Sequence, residues 1–217
     1  MLGELLPDEV TSDEAFCDLP GAWLFPDEQA AVARSVDRRR REFASVRSCA
    51  RRSLIQLGLP PTAIVPGDRG SPQWPPGVVG SMTHCAGYRG AALAHSRDVT
   101  AIGIDAEPHD RLPDGVLDLI ALPDELTWVT ALRAKMPDVN WGRLLFCAKE
   151  SVYKAWFPLT HQWLGFEDVR ISVDAASKTF RGQLLVAGPI LGGRALSMLT
   201  GRWLVRHELV LAVRARI

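Results

Sequence analysis

The run Ile102-Gly103-Ile104-Asp105-Ala106-Glu107-Pro108 most constrains how this chain can fold. Apolar residues lead into it from Val99, and proline stops it, so the spacing predicts a buried strand over 99–104 that delivers Asp105. Side chains alternate along a strand, so Asp105 and Glu107 share one side while Ala106 points to the other. A second cluster, Phe146 to Trp156, carries Lys149, Glu150 and Lys154. There Leu145, Ala148, Val152 and Trp156 form the apolar stripe of a helix predicted over 141–157, which Pro158 is expected to end. Glu150 and Lys154 lie one turn apart beside that stripe. Taken singly, an Asp-x-Glu strand end is commonplace, and an exposed Glu→Lys pair contributes only about 0.3–0.5 kcal/mol. Together, three carboxylates and a lysine pair are what a Mg²⁺-dependent enzyme working on a polyphosphate needs, since Mg²⁺ takes one or two carboxylates plus substrate phosphates.

The remaining elements follow from punctuation and period. Residues 1–26 read as an irregular lead-in. Asp27 is placed to cap a helix over 28–57, with Val32, Val36, Phe43, Val46, Ala50 and Leu54 on its apolar face, and Gly58 with Pro60-Pro61 stops it. A Gly/Pro-rich loop covers 60–77, and strands are predicted over 78–81 and 90–94. After a loop over 108–116, helices are expected near 115–121 and 123–135. From Phe166 the texture changes to alternating runs, predicting strands over 169–173, 179–185, 202–206 and 209–213. Phe43, Arg47 and Arg51 in the first long helix echo the spacing of Phe146, Glu150 and Lys154 in the later one, a match any amphipathic helix can produce.

The chain has 217 residues and 47% hydrophobic content, enough for one compact unit or two closely packed halves. Its formal net charge is zero, which removes any global argument for nucleic acid or an anionic membrane. Cys17, Cys49, Cys85 and Cys147 show no CxxC or zinc-site spacing, so reduced thiols of a cytosolic protein are expected. No signal pattern opens the chain, and the apolar stretch 184–191 is far shorter than the about 20 residues that span a bilayer. A soluble, cytoplasmic protein is expected.

The basic residues are uneven. Only Lys135, Lys149, Lys154 and Lys178 are lysine, and eight arginines between Arg34 and Arg52 face only Asp37 and Glu42. Guanidinium forks suit phosphate, although part of such a run on a helix is a solvated face. The segment Gly67-Asp68-Arg69-Gly70-Ser71-Pro72, then Gly80-Ser81-Met82-Thr83-His84, offers backbone N–H groups, hydroxyls and an imidazole to an anion.

In this order, an arginine helix, Gly-x-Arg-Gly-x-Pro, Ser-x-Thr-His, Gly-Ile-Asp-x-Glu and Phe-x-x-Lys-Glu-x-x-x-Lys resemble the 4′-phosphopantetheinyl transferases. The likeness covers residues 34–165 and is greatest to the monomeric, pseudo-dimeric class and its actinobacterial members. It implies an α+β fold of two similar halves about a pseudo-twofold, 1–110 and 111–217, with coenzyme A in the cleft between them. It implies transfer of the 4′-phosphopantetheine arm of coenzyme A to a serine of an apo acyl or peptidyl carrier protein of fatty acid, polyketide, peptide or siderophore synthases. Adenosine 3′,5′-bisphosphate leaves.

By the same resemblance, Asp105, Glu107 and Glu150 match the Mg²⁺ carboxylates. Arg39, Arg47, Arg69, Gly70, Ser81, Thr83, His84, Asp105, Lys149 and Lys154 match the coenzyme A site. Among Arg38–Arg41, helix register selects Arg39. Glu150 is then the general base and Lys154 the stabiliser of charge at the bridging oxygen. Cys85 stands where many members carry serine, and Ser71 where the loop is often basic. Two rival readings are a Mg²⁺-dependent phosphodiesterase or nuclease, and an inactive carrier-binding module of the same fold. The helical setting of Lys149-Glu150 and the zero net charge weigh against the first, and the intact carboxylate set against the second.

Overall fold

A computed structural model describes residues 1–207 and 209–215, with main chain only for 211–215; positions 216–217 of the expected second half lie outside the described residues. The strands are β1 (Thr11–Ala15), β2 (Val78–Cys85), β3 (Tyr88–His95), β4 (Ile102–Pro108), β5 (Val169–Asp174), β6 (Thr179–Leu184), β7 (Ile190–Leu191), β8 (Arg194–Ala195), β9 (Met198–Arg206) and β10 (Leu209–Ala215). The helices are α1 (Pro26–Ala31), α2 (Asp37–Gln56), α3 (Val116–Ile120), α4 (Pro123–Lys135) and α5 (Trp141–Thr160). The fold is α+β. One antiparallel sheet has the order β1-β3-β2, and a second, also antiparallel, has the order β4-β10-β9-β6-β5.

Each sheet is covered by one long helix. α2 lays Cys49, Ala50 and Leu54 on Val78, Ala91 and Leu93 of the first sheet. α5 buries Trp141, Leu144, Ala148, Val152 and Trp156 against Val169, Ile171, Phe180 and Trp203 of the second. Full burial of each such large side chain contributes about 1.5–3 kcal/mol, so these two faces fix where α2 and α5 sit.

The sheets meet where β2 runs beside β4 without a backbone ladder. Ser81 Oγ accepts the Ile104 N–H and Thr83 Oγ1 accepts the Ala106 N–H, each at 3.1 Å. The other edge of β4 is laddered to β10, from Ile102 opposite Ala215 to Pro108 opposite Leu209. The carboxylate strand therefore belongs by backbone pairing to the second sheet, and by side-chain bonds to the first.

Three expectations are corrected. The helix over 28–57 is two helices, α1 and α2, separated at 32–36. Phe25, not Asp27, caps the first, and Glu28 accepts the Phe25 N–H at 2.9 Å. The break has a clear cause: fully buried Glu28 ion-pairs with Arg51 at 3.0 Å, two positions that a continuous helix would hold roughly 35 Å apart. Pro158 does not end α5, which continues to Thr160 and closes at His161 with φ 53°. Proline in the last turn removes a single ladder bond, which the helix tolerates. The lead-in is not irregular throughout: it contains β1, and Leu2, Leu5, Leu6 and Val10 pack on Tyr88, Ile102 and Ile104.

Candidate active site

Gly103 brings the site together. A Cβ there would lie 1.9 Å from the Ser151 carbonyl oxygen and 2.8 Å from the Ala155 nitrogen, so β4 and α5 touch backbone to backbone. Two residues further on, Asp105 Oδ1 accepts the Lys154 ammonium at 2.6 Å and the Thr83 hydroxyl at 3.3 Å. Cys147 Sγ donates to the Asp105 carbonyl at 3.2 Å. Asp105 is 5% exposed, and its Oδ2 is buried with no hydrogen-bond partner.

Glu107 is half-buried and accepts Arg143 Nη1 at 3.1 Å. Glu150, one turn before Lys154, makes no hydrogen bond or ion pair among the described residues. Burial, then the Asp105 charge, raises both glutamates above the usual carboxylate range, with Arg143 and Lys154 opposing the rise at Glu107. Burial pulls the Lys154 ammonium down, but Asp105 and Glu150 outweigh it and hold the group protonated. Among the described residues no three His, Cys, Asp or Glu side chains form a group that could hold a metal. Instead, Asp105 and Glu107 are each neutralised by a cation.

Glu150, Tyr153, Lys154 and Phe157 form one wall of a cleft of about 180 Å³, with Arg69–Pro72 and Gly80–Met82 opposite. The loop is tightened by Gly67 N–H to Ser71 O at 2.7 Å, and Arg69 adopts φ 52°. The Arg69 guanidinium lies over the ring of Trp163, 5.3 Å from its centroid.

Arg39 meets His84 in a short contact between Nη1 and Nε2. Its neighbours go elsewhere: Arg38 to Glu42, Arg40 to the carbonyls of Ala33 and Ser35, Arg41 to Asp18. Burial, then the charges of Arg39 and Lys154, against the opposing Glu42, lower His84 to about 4, so its imidazole is neutral near pH 7. Arg89 braces the cluster through Asp18 at 2.7 Å.

Two sequence expectations do not reach the cleft. Lys149 is 1% exposed and buried in an ion pair with Glu125 at 2.7 Å, and it donates to the Phe166 carbonyl. It lies next to Glu150 in sequence, but successive helix residues do not share a face. Arg47 is also buried: its Nε donates to the Ile64 carbonyl at 2.8 Å and its guanidinium covers Phe43. Ser81 lines the cleft and Thr83 reaches Asp105, but their hydroxyls hold the β4 backbone. The sequence reading missed Arg143 and the wall residues Tyr153 and Met82. Arg143 had a signal, because positions 143, 147, 150 and 154 repeat at three and four and form one stripe of α5.

Comparison with known proteins identifies the family. The family described as "4'-phosphopantetheinyl transferase N-terminal domain" matches residues 27–94, and the "4'-phosphopantetheinyl transferase superfamily" matches 101–196. The 4'-phosphopantetheinyl transferase Svp of Streptomyces mobaraensis is 53% identical over 213 residues, covering 97% of this chain and 87% of that protein. PptT of Mycobacterium tuberculosis is 49% identical, covering 97% and 96%, and Npt of Nocardia iowensis is 47% identical, covering 97% of each. The chain belongs to the 4′-phosphopantetheinyl transferases, enzymes that move the phosphopantetheine arm of coenzyme A onto carrier proteins.

Proposed function

We propose that this transferase works with Mg²⁺ held by Asp105, Glu107 and Glu150, and that Glu150 is the general base. The observation that carries this reading is Asp105 Oδ2, a buried carboxylate oxygen without a partner. An orphaned buried oxygen calls for a missing donor or cation, and hard oxygen donors suit Mg²⁺. When bound, Mg²⁺ supplies charge neutralisation for the pyrophosphate of coenzyme A.

The chain's own groups do the rest. Glu150 has no hydrogen-bond partner among the described residues to compete for its lone pairs, and its raised carboxyl is better matched to taking a proton near neutral pH. It removes the proton from the carrier serine as that oxygen bonds to the phosphorus bearing pantetheine. The bond from that phosphorus to the bridging oxygen breaks, and the Lys154 ammonium stabilises the charge that develops there. Arg39, Arg69 and the neutral His84 hold the phosphates of coenzyme A, which supplies orientation rather than bond-making. Arg47 acts from behind by anchoring the loop that leads to Arg69.

We further propose two halves, 1–110 and 111–217, that share this site, and carriers drawn from fatty acid, polyketide, peptide and siderophore synthases. We propose a monomer, and the zero net charge supports the reading that it ignores nucleic acid. No described helix is long and apolar enough to cross a membrane. All four cysteines are free, as suits a cytoplasmic setting. The test is the intact mass of an apo carrier incubated with coenzyme A, with Mg²⁺ or with EDTA. Mass is gained only with Mg²⁺, and Asp105→Ala abolishes the gain while circular dichroism stays native. Normal turnover by that variant, or in EDTA, refutes the metal seat.

A further inference from the structure

The geometry points to Arg143 as a positioning residue that fixes Glu107 for cation binding, an inference that rests on Glu107 being a metal ligand. All three nitrogens of its guanidinium are spent on one short stretch of chain. Nη1 donates to Glu107 Oε2 at 3.1 Å, Nε to the Asp110 carbonyl at 3.2 Å and Nη2 to the Arg111 carbonyl at 3.0 Å. The side chain is only 14% exposed and that of Glu107 22%, so the pair is not a loose surface contact.

Glu107 needs such a clamp. Asp105 is locked by Thr83 and Lys154, but Glu107 is the penultimate residue of β4, followed by Pro108 and a loop. Glu107 Oε2 is taken by Arg143, and no hydrogen bond to Oε1 is found among the described residues, so the clamp leaves one carboxylate oxygen without a donor. Arginine suits this task because its planar fork presents donors in fixed directions, whereas a lysine offers one point charge. Partners that orient a metal-binding carboxylate typically contribute 10–100-fold to metal affinity. The same first turn of α5 ties the loop a second time: the Asn140 N–H donates to His109 Nε2 at 2.9 Å, and its side-chain amide to the His109 carbonyl. The two ties can be separated experimentally, because of the two residues Arg143 bonds the Glu107 side chain and Asn140 bonds His109.

Binding of Mn²⁺ as the probe, followed by electron paramagnetic resonance with coenzyme A present and carrier absent, reads the seat without turnover. Arg143→Lys keeps the charge and loses the fork. Its Kd for Mn²⁺ rises about tenfold or more, while coenzyme A affinity in EDTA stays within twofold of the parent. Asn140→Ala leaves Mn²⁺ affinity unchanged. In a double-mutant cycle, Arg143→Lys adds nothing on top of Glu107→Gln. Unchanged Mn²⁺ affinity in Arg143→Lys, with a loss in Glu107→Gln, overturns the clamp and leaves the metal seat standing. Unchanged affinity in Glu107→Gln overturns the seat and the clamp together. An equal loss in Asn140→Ala, a parallel fall in coenzyme A affinity, or failure of Arg143→Lys to fold makes Arg143 a structural tie and overturns the proposal.

Discussion

Gly103→Ala is the smallest change that should damage both the fold and the chemistry. Gly103 is not needed for an unusual backbone angle; it is needed because nothing larger fits between β4 and α5. The added methyl would lie 1.9 Å from one backbone atom of α5 and 2.8 Å from another, and carbon centres essentially never approach below 3.0 Å. Neither atom belongs to a side chain that could rotate away, so strand and helix must part by about 1 Å. Overpacking of this kind costs about 1–3 kcal/mol, and the backbone contact places this case at the upper end. For a chain of this size, 2–3 kcal/mol lowers Tm by about 4–12 °C. The same displacement acts on the Lys154–Asp105 bond, now 2.6 Å, and a 1 Å misplacement in a reacting array can cost about 10²-fold in rate. Thermal unfolding by circular dichroism and carrier loading by intact mass read the two effects separately. A variant that melts within about 2 °C of the parent and turns over within twofold would show that the two backbones are not in contact, and the reasoning fails.

Lys149→Met leaves fully buried Glu125 with an unpaired charge, so urea unfolding should show a loss of about 3–5 kcal/mol, with coenzyme A affinity unchanged by calorimetry. Weaker coenzyme A binding with parental stability would return Lys149 to the cleft. Arg47→Ala strips the Ile64 carbonyl of its donor and should destabilise by about 1–3 kcal/mol; lost affinity at unchanged stability would make Arg47 a direct ligand instead. His84 is held near 4, below its ordinary 6.5, so the unfolded chain takes up the proton first as pH falls. Its contribution is therefore complete above pH 6.5 and lost progressively towards pH 4. With the side chain 33% exposed, solvent screening reduces the full linkage of about 3 kcal/mol to about 1–2 kcal/mol. His84→Gln should flatten that part of the stability profile measured by urea unfolding, and an unchanged slope would show that the imidazole is not the group responsible.

Much of this was legible because period and punctuation act locally. The helix over 123–135 has its observed bounds, and the strand runs around 78, 90, 169, 179 and 209 are in place. Failures came where a distant partner decided the matter. Glu28 reads as an ordinary helix residue until Arg51 draws it into a buried pair, which requires the chain to turn between them. Lys149 reads as a companion of Glu150 until Glu125, from another helix, turns out to face it. Arg143 shares the stripe of Cys147, Glu150 and Lys154, a pattern available to inspection; that its fork ends on Glu107 depends on where the loop after β4 goes, and no local rule reports that.

Ser81 and Thr83 carry a structural bond that residue type alone does not reveal. Their hydroxyls read from sequence as ligand donors, yet each accepts a backbone N–H of β4. A strand laddered on both edges would have merged the two sheets into one, with β2 and β4 at about 4.8 Å. Bridging through side chains instead lets β2 run beside β4 while the two sheets stay separate. Thr83 does more: its hydroxyl accepts from Ala106 and spends its single proton on Asp105 Oδ1. That leaves Oδ2 as the unsatisfied oxygen of the pair. The seam that joins the sheets thus also decides which oxygen of Asp105 is left without a donor, so the carboxylates were readable from sequence while the bonding of each oxygen needed the fold.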